Sequence, residues 1–475
     1  MRKQLFWVAA LAATALVAAS GGCGSKGNSN SFGSGLGAGS GDNGGGGSGG
    51  LGDDSGLFGD DATVNTGCPT PTTLTGKVYD PAGKNPLYHV AVFAPKNVGA
   101  LPRIVPGTRT CNTCDVPIGD YWAAATTDET GSFTLQGVPT GNGVPLVLQI
   151  GKWRRIVPVN TKDCAVTAVP DKSLRLPHNR GEGDMPQMAL LTGGLDDLGC
   201  FLRRVGIDST EYSAPGAGGR LDIYQGVSSA LGVSLGNGPG LSSGTAGNCT
   251  GAGCPLWASK QSLEAYDIVI LACEGGENNQ TKPASAMTAM HDWLGEGGKV
   301  FATHFHYTWF KNGPADFQGV ANWLGTSAGI GMGNYQIDAS FPKGKSFERW
   351  LDLVGGATGA TIALNGVATS VSNVNAPTTR WIYDTKTNPN DTKYMSFGTP
   401  IGGLPGVDAG EGGKAYCGKA VFSDLHAGGS PSGDVPGACK TTDLSPQEKA
   451  LEFLFFDLSA CVQDDTQPVF TPPPR

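Results

Sequence analysis

The chain has 475 residues, a formal net charge of −8, 39% hydrophobic and 16% charged residues, and no basic run. That length allows two or three domains, and the acidic balance excludes the phosphate-neutralising footprint of a nucleic-acid binder. Twelve cysteines, beside an export signal, read as disulfide partners rather than reduced thiols.

Residues 1–22 read as a secretory signal. Arg2 and Lys3 supply the positive start, and the apolar run 5–19 is too short to span a bilayer comfortably. The signal ends Ala19-Ser20-Gly21-Gly22-Cys23. Small residues directly before a cysteine resemble a bacterial lipobox, although Ser20 stands where Leu is usual. The resemblance implies cleavage before Cys23 and lipidation of its thiol, and Gly24 after the cysteine implies the outer membrane rather than the inner one. An ordinary signal peptide cut near Ala19 is the alternative. Residues 24–66 are Gly, Ser, Asn and Asp with little to bury, so a disordered tether is expected, with an r.m.s. reach of about 35–40 Å. Its glycine spacings mimic a dinucleotide fingerprint, but no strand precedes them and no helix follows.

From Cys68 the texture changes. Residues 74–79, 89–93, 123–128, 133–135 and 145–150 read as short strands separated by Gly/Pro turns, a small antiparallel β-sandwich over 67–180. The segments TGKVYDPAGKNPLYHVAVFAP and ATTDETGSFTLQGVPTG resemble the carboxypeptidase regulatory-like, transthyretin-like family across residues 74–156. That resemblance implies a non-catalytic module. No histidine is followed by Glu at the His-x-x-Glu spacing of zinc carboxypeptidases. An insertion at 96–121 carries Cys111-Asn-Thr-Cys114. Structural disulfides are the expectation there, because the pair sits between Pro106 and Pro117 without the strand and helix of a redox site or two further zinc ligands. Residues 151–155 (GKWRR) read as a solvated edge strand.

The second expected domain spans 186–462, with a Pro-rich tail at 463–475. Residues 187–192 form an apolar run ending in Gly193-Gly194. Asp196 and Asp197 then open an amphipathic helix. Residues 220–224 are a short strand, and 226–259 a Gly/Ser-rich insertion with Cys249 and Cys254 as disulfide candidates. Next, YDIVILACEGGENNQTKPASAMTAMHDWLGEGGKVFATHFHYTWF (266–310) is strand, helix, Gly-Gly, strand: a βαβ unit in a buried parallel sheet. A strand at 414–425 ends in His426, and a capping-box spacing at Ser445 and Glu448 opens a closing helix at 449–458. The alternation predicts a flavodoxin-like α/β domain with β and loop insertions, so the whole is a multidomain protein. The LLTGG strand, the 266–304 unit and GKAVFSDLHAGG resemble the class I glutamine amidotransferase-like superfold, nearest its ThuA-like branch. The resemblance matches His304 and His426 to that branch's strand-end histidines. It also implies a nucleophilic Cys after the Gly-Gly strand, where this chain has Thr303-His304.

Ligands of open α/β sheets sit at the carboxyl ends of strands, and His304, His306, His426, Glu274 and Asp424 all fall there. His304 and His306, in an extended segment, are expected on one side. Three readings stay open: a divalent metal held by His304, His306 and His426, a metal-free His–carboxylate pair acting on a sugar, or histidines that only satisfy buried polar groups. With Cys23 lipidated, an odd number of cysteines remains, and Cys273 on a buried strand end is the candidate unpaired thiol. Gly325-Thr-Ser327-Ala-Gly329 fits G-x-S-x-G but follows a helical segment expected at 317–324, not the strand a nucleophile elbow needs. The expected function is a lipid-anchored envelope module binding glycan or protein, with no nucleic-acid partner. A ThuA-like carbohydrate enzyme is the alternative, and a thiol-redox role for Cys111 and Cys114 the weakest reading.

Overall fold

The computed structural model describes residues 64, 67–107, 111, 118–227, 234–235, 244–251, 253–324, 330–407, 413–428 and 435–469. The expected signal, Cys23, nearly all of the tether, Cys114 and Ser327 lie outside the described residues.

The first half is built of two sheets. Its strands are β1 (Thr73–Tyr79), β2 (Ala91–Pro95), β3 (Tyr121–Thr126), β4 (Ser132–Gln136), β5 (Gly141–Ile150), β6 (Trp153–Thr161), β7 (Val166–Ala168) and β8 (Leu174–Arg175). One sheet runs β4-β1-β7, with β8 also beside β1; the other runs β3-β2-β5-β6. The second sheet is antiparallel throughout, but β1 pairs with β7 and β8 in parallel, so the sandwich is not wholly antiparallel. Leu74, Val78, Phe133 and Leu135 from one sheet and Val92, Leu146 and Leu148 from the other are buried in one core. Period-two alternation places them there.

The second half is a large mixed sheet with helices on both faces. In chain order it contains β9 (Met188–Thr192), α1 (Leu198–Val205), β10 (Tyr212–Ser213), β11 (Leu221–Gln225), a hairpin of β12 (Ser234–Leu235) and β13 (Gly244–Thr245), β14 (Gly247–Asn248), α2 (Lys260–Glu264), β15 (Ile268–Leu271), α3 (Ala284–Gly295) and β16 (Lys299–Thr303). After these come α4 (Thr308–Lys311), α5 (Ala315–Gln318), β17 (Ala321–Trp323), β18 (Gly331–Ile337), α6 (Pro342–Leu353), β19 (Thr361–Val367), β20 (Val371–Val374), β21 (Thr379–Tyr383), β22 (Thr392–Thr399), β23 (Gly418–Ser423) and α7 (Pro446–Ser459). The helix expected at 317–324 is instead the end of α5 followed by β17.

Strands β10-β11-β9-β15-β16-β23 are parallel neighbours. Ranked by chain order, the five longer ones lie 2-1-3-4-5, the flavodoxin-like arrangement. Antiparallel β22, β21, β18 and β19 extend the sheet beyond β23, all supplied by the segment between β16 and β23. Burial on both faces explains the unbroken apolar runs. Ile268 and Ile270 face the core shared with α1 and α7, while Val269 and Leu271 face the core shared with α2 and α3.

Helix α7 joins the two halves. Eleven of its fourteen residues are buried, the pattern of a helix with apolar neighbours all round. Tyr88 stacks on Phe453 at 5.7 Å, and Trp153 meets Phe456 edge-on at 6.1 Å. Trp350 Nε1 donates to the Pro86 carbonyl at 2.7 Å. The GKWRR stretch is therefore an edge strand but not a solvated one: Trp153 is fully buried, Lys152 pairs with Asp267 and Arg154 with Asp184. Disulfides Cys68–Cys164, Cys200–Cys439 and Cys249–Cys254 staple the two halves internally, and Cys111 is bonded to Cys417, tying the sandwich insertion to the start of β23. Cys461 is also disulfide-bonded.

Charge is buried against α7 as well. Lys343 and Lys419 each bond to both Asp457 and Asp465, at 2.5–3.0 Å, so two cations balance two anions out of water. Asp80 and Glu452 are less well matched. Burial pushes the Asp80 carboxyl up to about 6, and burial together with Asp80 pushes Glu452 well above the usual carboxylate range. Asn85 Nδ2 donates to Glu452 Oε2 at 2.7 Å. Both folded-state values lie above the unfolded ones, so the native state binds extra protons. The pair's stabilisation is complete below the ordinary carboxylate range and is lost as pH rises through the folded values. Glu452→Gln, which keeps the shape without the charge, is expected to stabilise the protein by on the order of 1–3 kcal/mol at pH 8 and by much less at pH 4. Thermal melts of both proteins at the two pH values check this.

Candidate functional site

The carboxyl ends of β9, β15, β16 and β23 meet at one place, and a buried carboxylate holds them there. Asp196 follows the Gly-Gly turn after β9. Its Oδ2 accepts from the Cys273 amide at 3.2 Å and from Thr303 Oγ1 at 2.5 Å, and its Oδ1 accepts from the Ala427 amide at 2.9 Å. Burial raises its pKa. Gly193 is required for the approach of β9 to β15, because a Cβ there would lie 2.1 Å from the Cys273 carbonyl oxygen. The two acids expected to open a helix thus divide the work. Asp197 caps α1 by accepting from the Cys200 amide, while Asp196 turns inward. Asp196 is the functional residue that sequence reasoning missed, and the Asp-Asp pair after Gly-Gly was the signal.

Around this clamp three side chains converge. Cys273 Sγ lies 3.3 Å from His304 Nδ1, and that nitrogen lies 3.0 Å from His426 Nε2. The sulfur and the two nitrogens are all within 4.8 Å of one another. Cys273, His304 and His426 are 0%, 2% and 6% exposed. His426 Nδ1 faces the Gly366 carbonyl at 2.5 Å, and Gln447 donates to the His426 carbonyl. Cys273 is free, as its unpaired reading required. Burial, with Asp196 nearby, pushes its thiol well above the usual range. Burial, with His426 beside it, pushes His304 down to about 3, so this imidazole is neutral at physiological pH.

His306 does not join them. The strand ends at Thr303, and His304–Tyr307 is a turn of 3-10 helix entered by His304 at a φ of +41°. Residues two apart in such a turn point in different directions, so the expected common side of His304 and His306 does not form. His306 Nε2 faces the Ala272 carbonyl at 2.9 Å, and Trp309 Nε1 donates to its Nδ1 at 3.3 Å. Burial holds its pKa well below normal. The ring is a satisfied core group, and a metal set that includes it is corrected on that ground.

The expected carboxylates are also occupied. Glu274 pairs with buried Lys282 at 2.7 Å and accepts from the Val227 amide at 2.6 Å; its nearest approach to His306 is 3.8 Å. Asp424 accepts from the Ser370 amide and hydroxyl, each at 2.7 Å, and burial raises it to about 6. Glu277 accepts from Tyr307 at 2.6 Å. A His–carboxylate acid–base pair is therefore absent among the described residues of this edge. The assembled chemistry is one thiol and two imidazoles.

No protein-family model and no curated protein matches the chain. Its weak structural neighbours include a cytoplasmic protein from Salmonella typhimurium (10% identity, TM-score 0.29, covering 57% of this chain and 98% of that one). A ThuA-like protein from Bacteroides uniformis is another (12% identity, TM-score 0.24, covering 56% of this chain and 89% of that one).

Asp196→Asn keeps the shape of the clamp but turns one accepting oxygen into a donor facing donors. It is expected to destabilise the fold by about 2–4 kcal/mol. Urea denaturation measures the loss, and an unchanged midpoint would show that the clamp does not hold the strand ends.

Proposed function

We propose that the protein is an exported envelope module, lipid-anchored at the outer membrane through Cys23, that binds a glycan or protein ligand and performs neither amidotransferase nor carboxypeptidase chemistry. The β-sandwich is read as a carboxypeptidase regulatory-like domain and the α/β half as a class I glutamine amidotransferase-like domain of the ThuA-like branch. One observation carries the negative half of this reading. At the end of β16, where an amidotransferase would carry its nucleophile, the chain has His304, and the nearby free thiol of Cys273 is buried, which raises its pKa and disfavours a free thiolate nucleophile. The disulfides fit an oxidising, extracytoplasmic compartment. No helix among the described residues is long and apolar enough to cross a membrane.

A second reading, a ThuA-like enzyme acting on a carbohydrate, is favoured by the convergence of His304 and His426 at the carboxyl edge and by the left-handed backbone at His304, a conformation often kept at functional sites.

Two experiments test the reading. Labelling cells with an alkyne fatty acid is expected to tag the wild-type protein, and Cys23→Ser to remove the tag and release the protein from the membrane fraction. Assay of the purified mature chain is expected to show no glutamine or peptide hydrolysis and no turnover of di- and oligosaccharides, with retention on immobilised envelope glycan or capture of an envelope protein. Sugar turnover abolished by His304→Ala would overturn the binding reading in favour of the enzyme.

A further inference from the structure

With both imidazoles neutral, hydrogen bonds alone do not satisfy every donor and acceptor of the three converging side chains. The Gly366 carbonyl only accepts, so His426 Nδ1 carries a proton, and in the neutral ring His426 Nε2 presents a lone pair to His304 Nδ1 at 3.0 Å. If His304 Nδ1 is bare, two lone pairs meet at that distance. If it is protonated, it satisfies His426, but it can no longer accept the Cys273 thiol proton at 3.3 Å, and His304 Nε2 becomes a buried lone pair without a partner. A cation among the three atoms removes the conflict at His304 Nδ1, because the sulfur and both nitrogens then offer it lone pairs, while His304 Nε2 stays without a partner.

We infer that Cys273, His304 and His426 form a binding site for a single borderline-soft divalent transition metal of the zinc or cobalt type. Metal–nitrogen bonds of about 2.0–2.1 Å and metal–sulfur bonds of about 2.3 Å in tetrahedral geometry set donor atoms roughly 3.3–3.7 Å apart. The observed 3.0 and 3.3 Å need only a small opening to match, and the remaining separation, Cys273 sulfur to His426 nitrogen, lies within 4.8 Å. Thiolate plus imidazole is the donor set such ions prefer over magnesium or calcium. One outer contact agrees: a metal-ligating histidine characteristically donates its other N–H to a carbonyl or carboxylate, as His426 does to Gly366, whereas His304 Nε2 has no such partner.

Asp196 is the positioning residue. It bonds to Cys273 itself, to Thr303 just before His304 and to Ala427 just after His426, so one carboxylate orients all three ligand-bearing turns. On binding, the Cys273 S–H bond breaks, a sulfur–metal bond forms and one proton leaves to solvent. Thiolate and Asp196 carboxylate then balance the charge of the dication. Three protein donors leave a fourth position of a tetrahedral ion for a water or an added ligand, the count found at catalytic zinc centres. The inference does not depend on the envelope-binding reading, since metal uptake and ligand capture are measured separately.

The test uses the mature chain with its disulfides intact. The chain is stripped with a chelator and titrated with cobalt(II) at micromolar free metal, with bound metal counted by elemental analysis. The expected result is one ion per chain, with a thiolate-to-cobalt charge-transfer band in the near ultraviolet and a rise in melting temperature. Cys273→Ser is expected to abolish the band, His426→Ala to weaken binding at least tenfold, and Asp196→Asn to weaken it about 10–100-fold. Because buried variants can misfold, native mass spectrometry of the wild type with zinc, before and after chelation, provides an arm free of mutations. A folded wild-type chain that takes up no zinc or cobalt, or that binds cobalt without the thiolate band, overturns the site.

Discussion

A single buried carboxylate sets the geometry of the functional edge. Asp196 leaves water, at a cost that only its hydrogen bonds offset, and spends both oxygens on three strand ends. That carboxylate follows β9 and ties together the adjoining carboxyl ends of β15, β16 and β23. Cys273, His304 and His426 lie on or beside the residues it binds, so the clamp fixes the turns that carry them at strand ends already made neighbours by parallel pairing. Gly193 and the left-handed backbone at His304 belong to the same constraint. Each allows a close approach or a sharp exit that an ordinary residue in an ordinary conformation would prevent.

Helix α7 sets the rest of the architecture. Its residues face the parallel sheet on one side and the β-sandwich on the other, so a single helix completes two cores. Hydrophobic area carries most of that junction, but the buried charges restrict how it can be assembled. Lys343 and Lys419 must meet Asp457 and Asp465, and Glu452 must be protonated or face Asp80 at a cost. The Cys111–Cys417 bond adds a covalent tie between the sandwich insertion and β23. The sandwich thereby bears on the site edge through α7: it packs on Phe453 and Phe456, and Gln447, one residue into α7, reaches the His426 carbonyl.

Much of the parallel sheet was legible from residue order. The apolar runs at 187–192, 268–272 and 300–303 and the alternation with helical spacing identify buried strands, because short-range periodicity reflects which faces are covered. The antiparallel extension was not legible. Strands β18 to β20 carry many exposed or half-exposed residues, and pairings such as β18 with β21 or β16 with β23 skip the elements between them. The residues after Thr303 were misread for a local reason. Thr-His-Phe-His looks extended by composition, and nothing in it announces the left-handed entry to a 3-10 turn that sends His306 into the core beside Trp309.

By itself the sequence determined the alternation of strands and helices, the strand ends where His304, His426 and Cys273 stand, and the excess of cysteines that marks an oxidising compartment, since all of these depend on neighbours within a few residues or on counts. Only the tertiary structure decided which of those groups meet. Asp196 and Ala427 are more than two hundred residues apart, Cys273 and His304 approach through the pairing of β15 with β16, and Glu274 and Asp424 are drawn away to Lys282 and Ser370. Side-chain contact is a property of sheet order and strand exit angle, and those are set by packing across the whole chain rather than by local spacing.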